Sequence, residues 1–430
     1  MIDLNKIKSV YFIGIGGSGM SCVANMMIAK NKIVSGSDRE LSLTTRELEE
    51  KGASIFYEQN GTHISKDIDL VIYTVAIPKN NPELVRANEL GTLLLSYPQV
   101  LDLVSRNMIT IGVAGTHGKT TTTAMLSHIL QDTNISPTVI VGSTLVDRKT
   151  NFIEGAGEYF LVEADEYKKS FLNLNPKYLV ITNIDEDHLD FYKDLKDIQN
   201  TFRELVAKVP ADGFVVCNKT HPHLQPVIKD ASCKILDYAD TFPLDAGLFL
   251  PGIHNRQNAS AAFTTASLFG ISSKVIIEKL KSFKGVRRRF EYKGKTKQGA
   301  LVYDDYAHNP QKVFAALQGA KEAFPDSRII AVFQPHLYSR TKLLLDKFGK
   351  SFGSADRVLL APIYAAREEF DGSISSEILA RELQNNNVQA KDFESIDEIK
   401  DELGGLLKNN DVVVILGAGD IIKLSENLVS

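Results

Sequence analysis

The sequence predicts an α/β protein built on parallel sheets and divided into three parts. Three observations support this. Short β-branched runs alternate with helical stretches along the whole chain, the pattern of strand–helix–strand units. Glycine loops stand between such a run and a helix at two places, "FIGIGGSGMS" (12–21) and "AGTHGKTTTT" (114–123). A last set of strands, "ALVYDD", "RIIAVFQ", "RVLLAPIY" and "DVVVILGAG", follows the Gly/Lys-rich stretch "YKGKTKQGA", which reads as a linker or hairpin. The expected domains are 1–105, 106–297 and 298–430, since 430 residues exceed one ordinary core.

Composition excludes several classes. The chain is 43% hydrophobic and 24% charged with net charge −4, which argues against a nucleic-acid surface. No apolar run approaches the ~20 residues that span a bilayer, and the opening residues run directly into a strand without a signal-type apolar core. Cys22, Cys217 and Cys233 form no C-x-x-C pair, which suits a reducing compartment and speaks against a zinc cluster. A cytoplasmic protein without membrane insertion is expected.

The first loop places Gly14, Gly16 and Gly19 in G-x-G-x-x-G spacing, between an apolar run and a helix expected over Met20 to Ala29. Asp38 ends the next apolar run, where dinucleotide-binding proteins carry a ribose-binding acid. A nicotinamide dinucleotide fits this pattern, but glycines at a helix N-terminus bind any diphosphate. The only histidine of this part, His63, is weak material for a hydride-transfer site.

The second loop carries more chemistry. Gly115 and Gly118 let backbone N–H groups turn towards phosphate oxygens, Lys119 can reach β- and γ-phosphates, and the Thr120 hydroxyl can ligate Mg²⁺. The strict G-x-x-x-x-G-K-[ST] pattern fails because Val113 occupies its first glycine position. A threonine-rich helix cap is the alternative. Glu163 and Asp165 end "YFLVEADE", and His188, flanked by Asp187 and Asp190, follows "YLVITNI". Ligands of parallel sheets bind at such strand ends, and oxygen donors there suit Mg²⁺.

Taken together and in order, G-T-H-G-K-T-T, E-A-D-E, T-N-x-x-x-D-H-L-D, "LPGIHNRQNASAA" and "RRRF" resemble the Mur ligases, ATP-dependent enzymes that add amino acids to cell-wall precursors. The first loop and "FQPHLYSRT" (333–341) point to the alanine-adding branch, whose substrates are UDP-N-acetylmuramate, L-alanine and ATP. The family implies an N-terminal Rossmann-like domain, a central P-loop ATPase-type parallel sheet and a C-terminal Rossmann-like domain. It also implies that the first loop (Gly14, Gly16, Gly17, Ser18, Gly19 and Met20), with Asp38, Ala76 and Ile77, holds the UDP-sugar and no nicotinamide. The resemblance assigns ATP to Gly115, Thr116, His117, Gly118, Lys119, Thr120 and Thr121, together with His254, Asn255, Arg289 and Asp305, and Asn258 in support. Lys119 would neutralise the phosphates, Thr120 and Glu163 would ligate one Mg²⁺ and His188 the other, with lesser parts for Asp165 and Glu166. His308 would face the phosphates or the acyl group; His336, Tyr338 and Arg340 would grip a carboxylate or the incoming alanine. A monomer or weak homodimer is expected.

Three features depart from the family pattern. "AHNP" (307–310) stands where the alanine-adding branch more often has G-H-H-P, the stretch from Cys217 to Pro251 is short, and Phe202 falls where sister ligases carry a carbamylated lysine. Other Mur-type ligases, including the murein-peptide recycling enzyme, remain open, as does a nucleotide-binding module without turnover. An oxidoreductase built on the first loop leaves Lys119, Glu163 and His188 unexplained.

Overall fold

The computed structural model describes residues 2–106, 108–189, 191–243, 246–248, 250–366, 368–370 and 372–429. They belong to two compact units, Met1–Gly247 with Gln257–Phe283, and Leu248–Arg256 with Lys284–Ser430. The first unit contains two sheets and the second contains one.

The first sheet has strands β1 (Ser9–Ile13), β2 (Ile33–Ser37), β3 (Ser54–Phe56), β4 (Leu70–Tyr73) and β5 (Leu93–Ser96), ordered 3-2-1-4-5 and all parallel. This is the Rossmann-like order, and its switch point lies between β1 and β4. Val10, Phe12, Leu70 and Ile72 point to one core and Tyr11, Ile13 and Val71 to the other, so the central strands are apolar on both faces.

The second sheet has β6 (Ile109–Ala114), β7 (Thr138–Leu145), β8 (Thr150–Ile153), β9 (Tyr159–Glu163), β10 (Tyr178–Ile181), β11 (Phe214–Cys217) and β12 (Lys234–Asp237), ordered 12-11-10-6-9-7-8. Only the β7–β8 hairpin is antiparallel. The helix Ser18–Ala29 is largely apolar and buries residues on more than one side because of its position. One side covers the first sheet and the other lies on β7 and β8, where Cys22 Sγ donates to Val141 O (2.9 Å) and Asn151 Nδ2 to Ser21 Oγ (2.9 Å). Phe202 is fully buried, edge-on to Phe171 at 5.0 Å.

The second unit's sheet has β13 (Glu291–Lys295), β14 (Leu301–Asp305), β15 (Ile329–Phe333), β16 (Arg357–Leu360), β17 (Ala390–Asp392) and β18 (Val412–Leu416), ordered 13-14-18-15-16-17. Its strands are parallel except β13, which forms a hairpin with β14. Residue 298 therefore lies within the hairpin turn of this sheet. Buried residues on both faces, Ala331 and Phe333 on one and Ile330 and Val332 on the other, fix the register. The three-domain α/β architecture read from the sequence is present.

Candidate active site

The first loop leaves β1 at Gly14, whose φ of +82° only glycine adopts without strain. The N–H groups of Gly14 and Ile15 both donate to Ser37 O (2.9 Å each), which ties the loop to the end of β2. Gly16 N–H donates to Asp38 Oδ2 at 2.7 Å. The acid expected to bind ribose thus bonds the centre of the glycine loop. Gly17 and Ser18 are exposed at the helix start, while Gly19 leaves no room for a Cβ, which would lie 2.7 Å from the Tyr97 ring. Met20 is buried in the core, so only its backbone can meet a ligand. Ala76 is exposed in the loop after β4, Ile77 is half-buried beside it, and Lys168 Nζ donates to Val75 O (2.8 Å). His63 is exposed and stacks on Phe56 at 3.7 Å.

The second loop is held from β10. Thr116 N–H donates to Asn183 O (3.1 Å), His117 N–H to Asn183 Oδ1 (2.8 Å), and Asp185 N–H to Thr116 Oγ1 (2.9 Å). The backbone donors of Thr116 and His117 are therefore used within the protein. Anion contact falls to the first turn of the helix Lys119–Leu130, whose leading N–H groups have no intrahelical acceptor. Gly115 (φ +132°) and Gly118 (φ +82°) need left-handed backbone, and a Cβ would lie 2.1 Å from Thr182 Oγ1 and 2.3 Å from Asn258 Oδ1, respectively. Asn258 also accepts from Thr122 Oγ1 (3.3 Å), and Thr121 is buried.

Two acidic groups face the start of this helix. Thr120 Oγ1 donates to Glu163 Oε1 (2.8 Å), while Gly142 N–H from β7 donates to Glu163 Oε2 (2.7 Å). Lys119 Nζ donates to Glu166 Oε2 (2.8 Å), Glu166 Oε1 (3.0 Å) and Gly115 O (2.7 Å). Burial opposes the Lys119 charge, but Glu166, Asp165 and Glu163 outweigh it and hold the ammonium above its ordinary range. His188, at φ +54°, lies 3.9 Å from Glu166 Oε1 and near the Tyr167 ring. Asp165, Glu166 and His188 each bring a donor atom within 4.8 Å of the others. The expected metal set therefore divides: Thr120 belongs with Glu163, and His188 with Asp165 and Glu166. Carboxylates and a hydroxyl are the donors Mg²⁺ takes, so Thr120, Glu163, Asp165 and Glu166 fit such an ion, while His188 brings an imidazole nitrogen beside them. Asp187 accepts from His188 N–H (2.9 Å), and Asp190 lies outside the described residues.

In the second unit, Asp305 ends β14, His308 follows it, and His336, Tyr338 and Arg340 follow β15, while Arg289 precedes β13 and His254 and Asn255 open a helix. Asp305 accepts from Phe290 N–H at Oδ2 and from Ala307 N–H at Oδ1 (2.8 Å each), so both of its oxygens are tied to the backbone. Arg288 pairs with the buried Asp304 (3.1 Å), and Arg289 lies 5.6 Å from the Tyr306 ring centre. His308 Nδ1 must donate to Tyr306 O (2.8 Å), which leaves Nε2 as an acceptor. Burial, with Lys312 and Arg340 nearby, pushes His308 far below its ordinary range, so the ring is neutral. Arg340 Nη1 donates to His336 Nδ1 (3.3 Å), and the His336 ring is 6.1 Å from His308. Leu337, at φ +70°, turns the chain between them, and Tyr338 packs on Phe370. His254 is pushed down to about 4 by burial, and Asn255 Nδ2 donates to Pro251 O (2.6 Å).

The departure at "AHNP" has a local cause. Asn309 caps the helix Pro310–Ala323 by accepting from Lys312 N–H (2.9 Å), work for which asparagine is well suited. Asn183 and Gly142 hold the loop and Glu163 without having been candidates in the sequence, and Glu166 meets Lys119 directly. The E-A-D-E and T-N motifs contained two of them, but nothing marked Gly142, which arrives from another strand.

Two glycine loops on parallel sheets, the second with a lysine and facing carboxylates, define a phosphate-handling α/β enzyme. The chain belongs to the Mur ligase family. Family models match residues 9–107 ("Mur ligase family, catalytic domain"), 113–246 ("Mur ligase middle domain") and 288–419 ("Mur ligase, glutamate ligase domain"). The chain is 42% identical over 445 residues to the UDP-N-acetylmuramate–L-alanine ligase of Clostridium novyi, covering 97% of this chain and 96% of the relative. It is 40% identical over 451 residues to the enzyme of the same name from Clostridium kluyveri, covering 99% and 98%. Among solved structures, the UDP-N-acetylmuramate–alanine ligase of Thermotoga maritima superposes with a TM-score of 0.84 at 28% identity over 98% of both chains. A murein peptide ligase of Psychrobacter arcticus shares the fold at TM-score 0.73 and 24% identity, over 98% of both chains. No helix among the described residues is long and apolar enough to cross a membrane.

Proposed function

We propose that this ligase joins L-alanine to the carboxylate of UDP-N-acetylmuramate at the expense of ATP, in the cytoplasm, during peptidoglycan precursor synthesis. The observation that carries this reading is similarity along nearly the whole chain to enzymes of that name.

The chemistry follows from the substrates. A carboxylate acylates poorly because its leaving group would be oxide. Transfer of the γ-phosphoryl group of ATP gives an acyl phosphate, and the alanine amine then displaces phosphate through a tetrahedral intermediate. Phosphoryl transfer asks chiefly for positioning and charge neutralisation. Lys119 at the helix start supplies a cation, and the helix N-terminus adds partial positive charge. Thr120 and Glu163 would hold one Mg²⁺, and His188 with Asp165 and Glu166 would hold another. Bound there, the ions neutralise phosphate charge.

In the second unit, Arg340 offers a planar carboxylate grip. Arg340 donates to His336 Nδ1, which places the neutral ring's proton on Nε2. The neutral His308, with Nε2 unprotonated, offers a hydrogen-bond acceptor that can orient the alanine amine. The exposed turn Gly17–Ser18 and the helix start behind it bind the UDP diphosphate.

The test is to follow phosphate release with ATP, Mg²⁺, UDP-N-acetylmuramate and each amino acid in turn. Alanine should dominate. Release with the tripeptide L-Ala-γ-D-Glu-meso-diaminopimelate and not with alanine would move the enzyme to peptide recycling.

A further inference from the structure

We propose that Glu166 is a positioning residue for Lys119: its carboxylate holds the ammonium against the loop and gives it up to phosphate oxygens when nucleotide binds. The inference rests on the ligase reading only in taking a nucleotide as the ligand of this loop.

The donor count carries it. An ammonium has three N–H donors. Lys119 Nζ has contacts to Gly115 O (2.7 Å), Glu166 Oε1 and Oε2 (3.0 and 2.8 Å) and, at 3.4 Å, Thr116 O. All three protons are thus engaged within the protein, and a phosphate oxygen gains one only if a partner withdraws. The two carbonyls belong to a loop fixed by Asn183 and by the left-handed Gly115 and Gly118. The Glu166 carboxylate is the partner that can rotate, while its backbone stays pinned by Tyr192 OH, which donates to Glu166 O.

Charge requires the same exchange. The pair is desolvated, with side-chain exposures of 13% for Lys119 and 3% for Glu166. Within such a site a carboxylate and a phosphate repel strongly if both crowd one ammonium. The displaced carboxylate has somewhere to go, because His188 Nε2 lies 3.9 Å from Oε1 and the Asp165–Glu166–His188 set is the one that fits a divalent ion. Binding phosphate at the loop and turning a carboxylate towards that set are then one movement.

Glu166→Gln keeps the shape and removes the competing charge. Magnesium-free calorimetric titration with ADP and with ATP should give severalfold tighter binding than the parent, because the buried ammonium lacks its counter-charge until phosphate arrives. Steady-state turnover should show KM for ATP and kcat falling together, and Glu166→Asp should move both back towards the parent. Thermal unfolding of each variant checks the fold. Nucleotide binding by Glu166→Gln that is unchanged or weaker would overturn the proposal, since the carboxylate would then only support the loop. The titration needs no acceptor, so its outcome stands apart from which acid and amine the enzyme joins.

Discussion

The two glycine loops of the first unit share a sequence grammar and obey different physics. In the second loop, Gly115 and Gly118 are glycines because the backbone is left-handed and Thr182 and Asn258 close in on it. In the first loop that argument applies to Gly14 alone. Gly16 and Gly19 have ordinary backbone and are glycines because Asp38 and Tyr97 stand where a Cβ would go. The electrostatics also differ. The second loop has a lysine balanced by a carboxylate, whereas the first has no lysine or arginine, and its Gly14, Ile15 and Gly16 N–H groups are already given to Ser37 O and Asp38. A loop with its own cation suits a reacting phosphate, which gathers charge in the transition state. A loop with backbone donors alone suits a diphosphate that is held and not transformed.

The largest expected effect tests the charged loop. Lys119→Ala should lower kcat on the order of 10³-fold or more by removing the cation at the transferring phosphate. It also strands the buried Glu166 carboxylate, so the melting temperature should fall as well. The double variant Lys119→Ala/Glu166→Gln should regain the stability without the activity. Recovery of ligation in the double variant would mean that the lysine serves folding alone.

The next test separates the steric roles of the first loop. A Cβ at Gly16 would lie 2.9 Å from Asp38 Oδ2 and 3.0 Å from Thr45 Cγ2, whereas one at Gly17 meets nothing nearer than 3.4 Å. Gly16→Val should therefore raise KM for UDP-N-acetylmuramate roughly tenfold or more by disturbing Asp38. Gly17→Ala should act only through contact with the ligand. Both should leave KM for ATP near the parent value, and neither parent nor variants should bind NAD in a direct titration. A shift in the ATP constant equal to that for the UDP-sugar would erase the distinction between the loops.

The smallest effects lie in the second unit, where two buried groups respond to pH with opposite signs. Burial pushes His254 down to about 4 and pushes Asp304 up to about 6. As pH falls from 6.5 towards 4, the unfolded chain protonates His254 and the folded one does not, so that contribution to stability is lost. Asp304 keeps its proton in the folded state up to about 6, so its contribution is present at low pH and lost as pH rises through that value. Each of these shifts corresponds to on the order of 3 kcal/mol. Melting temperatures between pH 4 and 7 should fall less on acidification in His254→Gln than in the parent. Asp304→Asn should fall more. Parallel curves for all three proteins would show that neither group is coupled to folding.

Much of this protein was legible in its sequence because the information is local. Apolar runs, glycines at turns, a lysine at a helix start and acids at strand ends are set by neighbouring residues, and they gave the three-part α/β architecture and pointed to candidates at its loops and strand ends. Glu166 was read too lightly because sequence adjacency put it beside Asp165 and not beside Lys119, which is 47 positions away. Asn183 holds His117 across 66 positions, and Gly142 meets Glu163 across 21, from a strand with no motif of its own. Asp38 was read as a ligand acid, yet the fold turns it into the loop at Gly16. At "AHNP", a departure from the family pattern, the structure shows Asn309 as a helix cap. The sequence determined which groups this protein has and on which element each one sits. Tertiary structure alone decided which charges and donors face one another, because those pairings depend on strand order, and strand order brings distant segments within hydrogen-bonding reach.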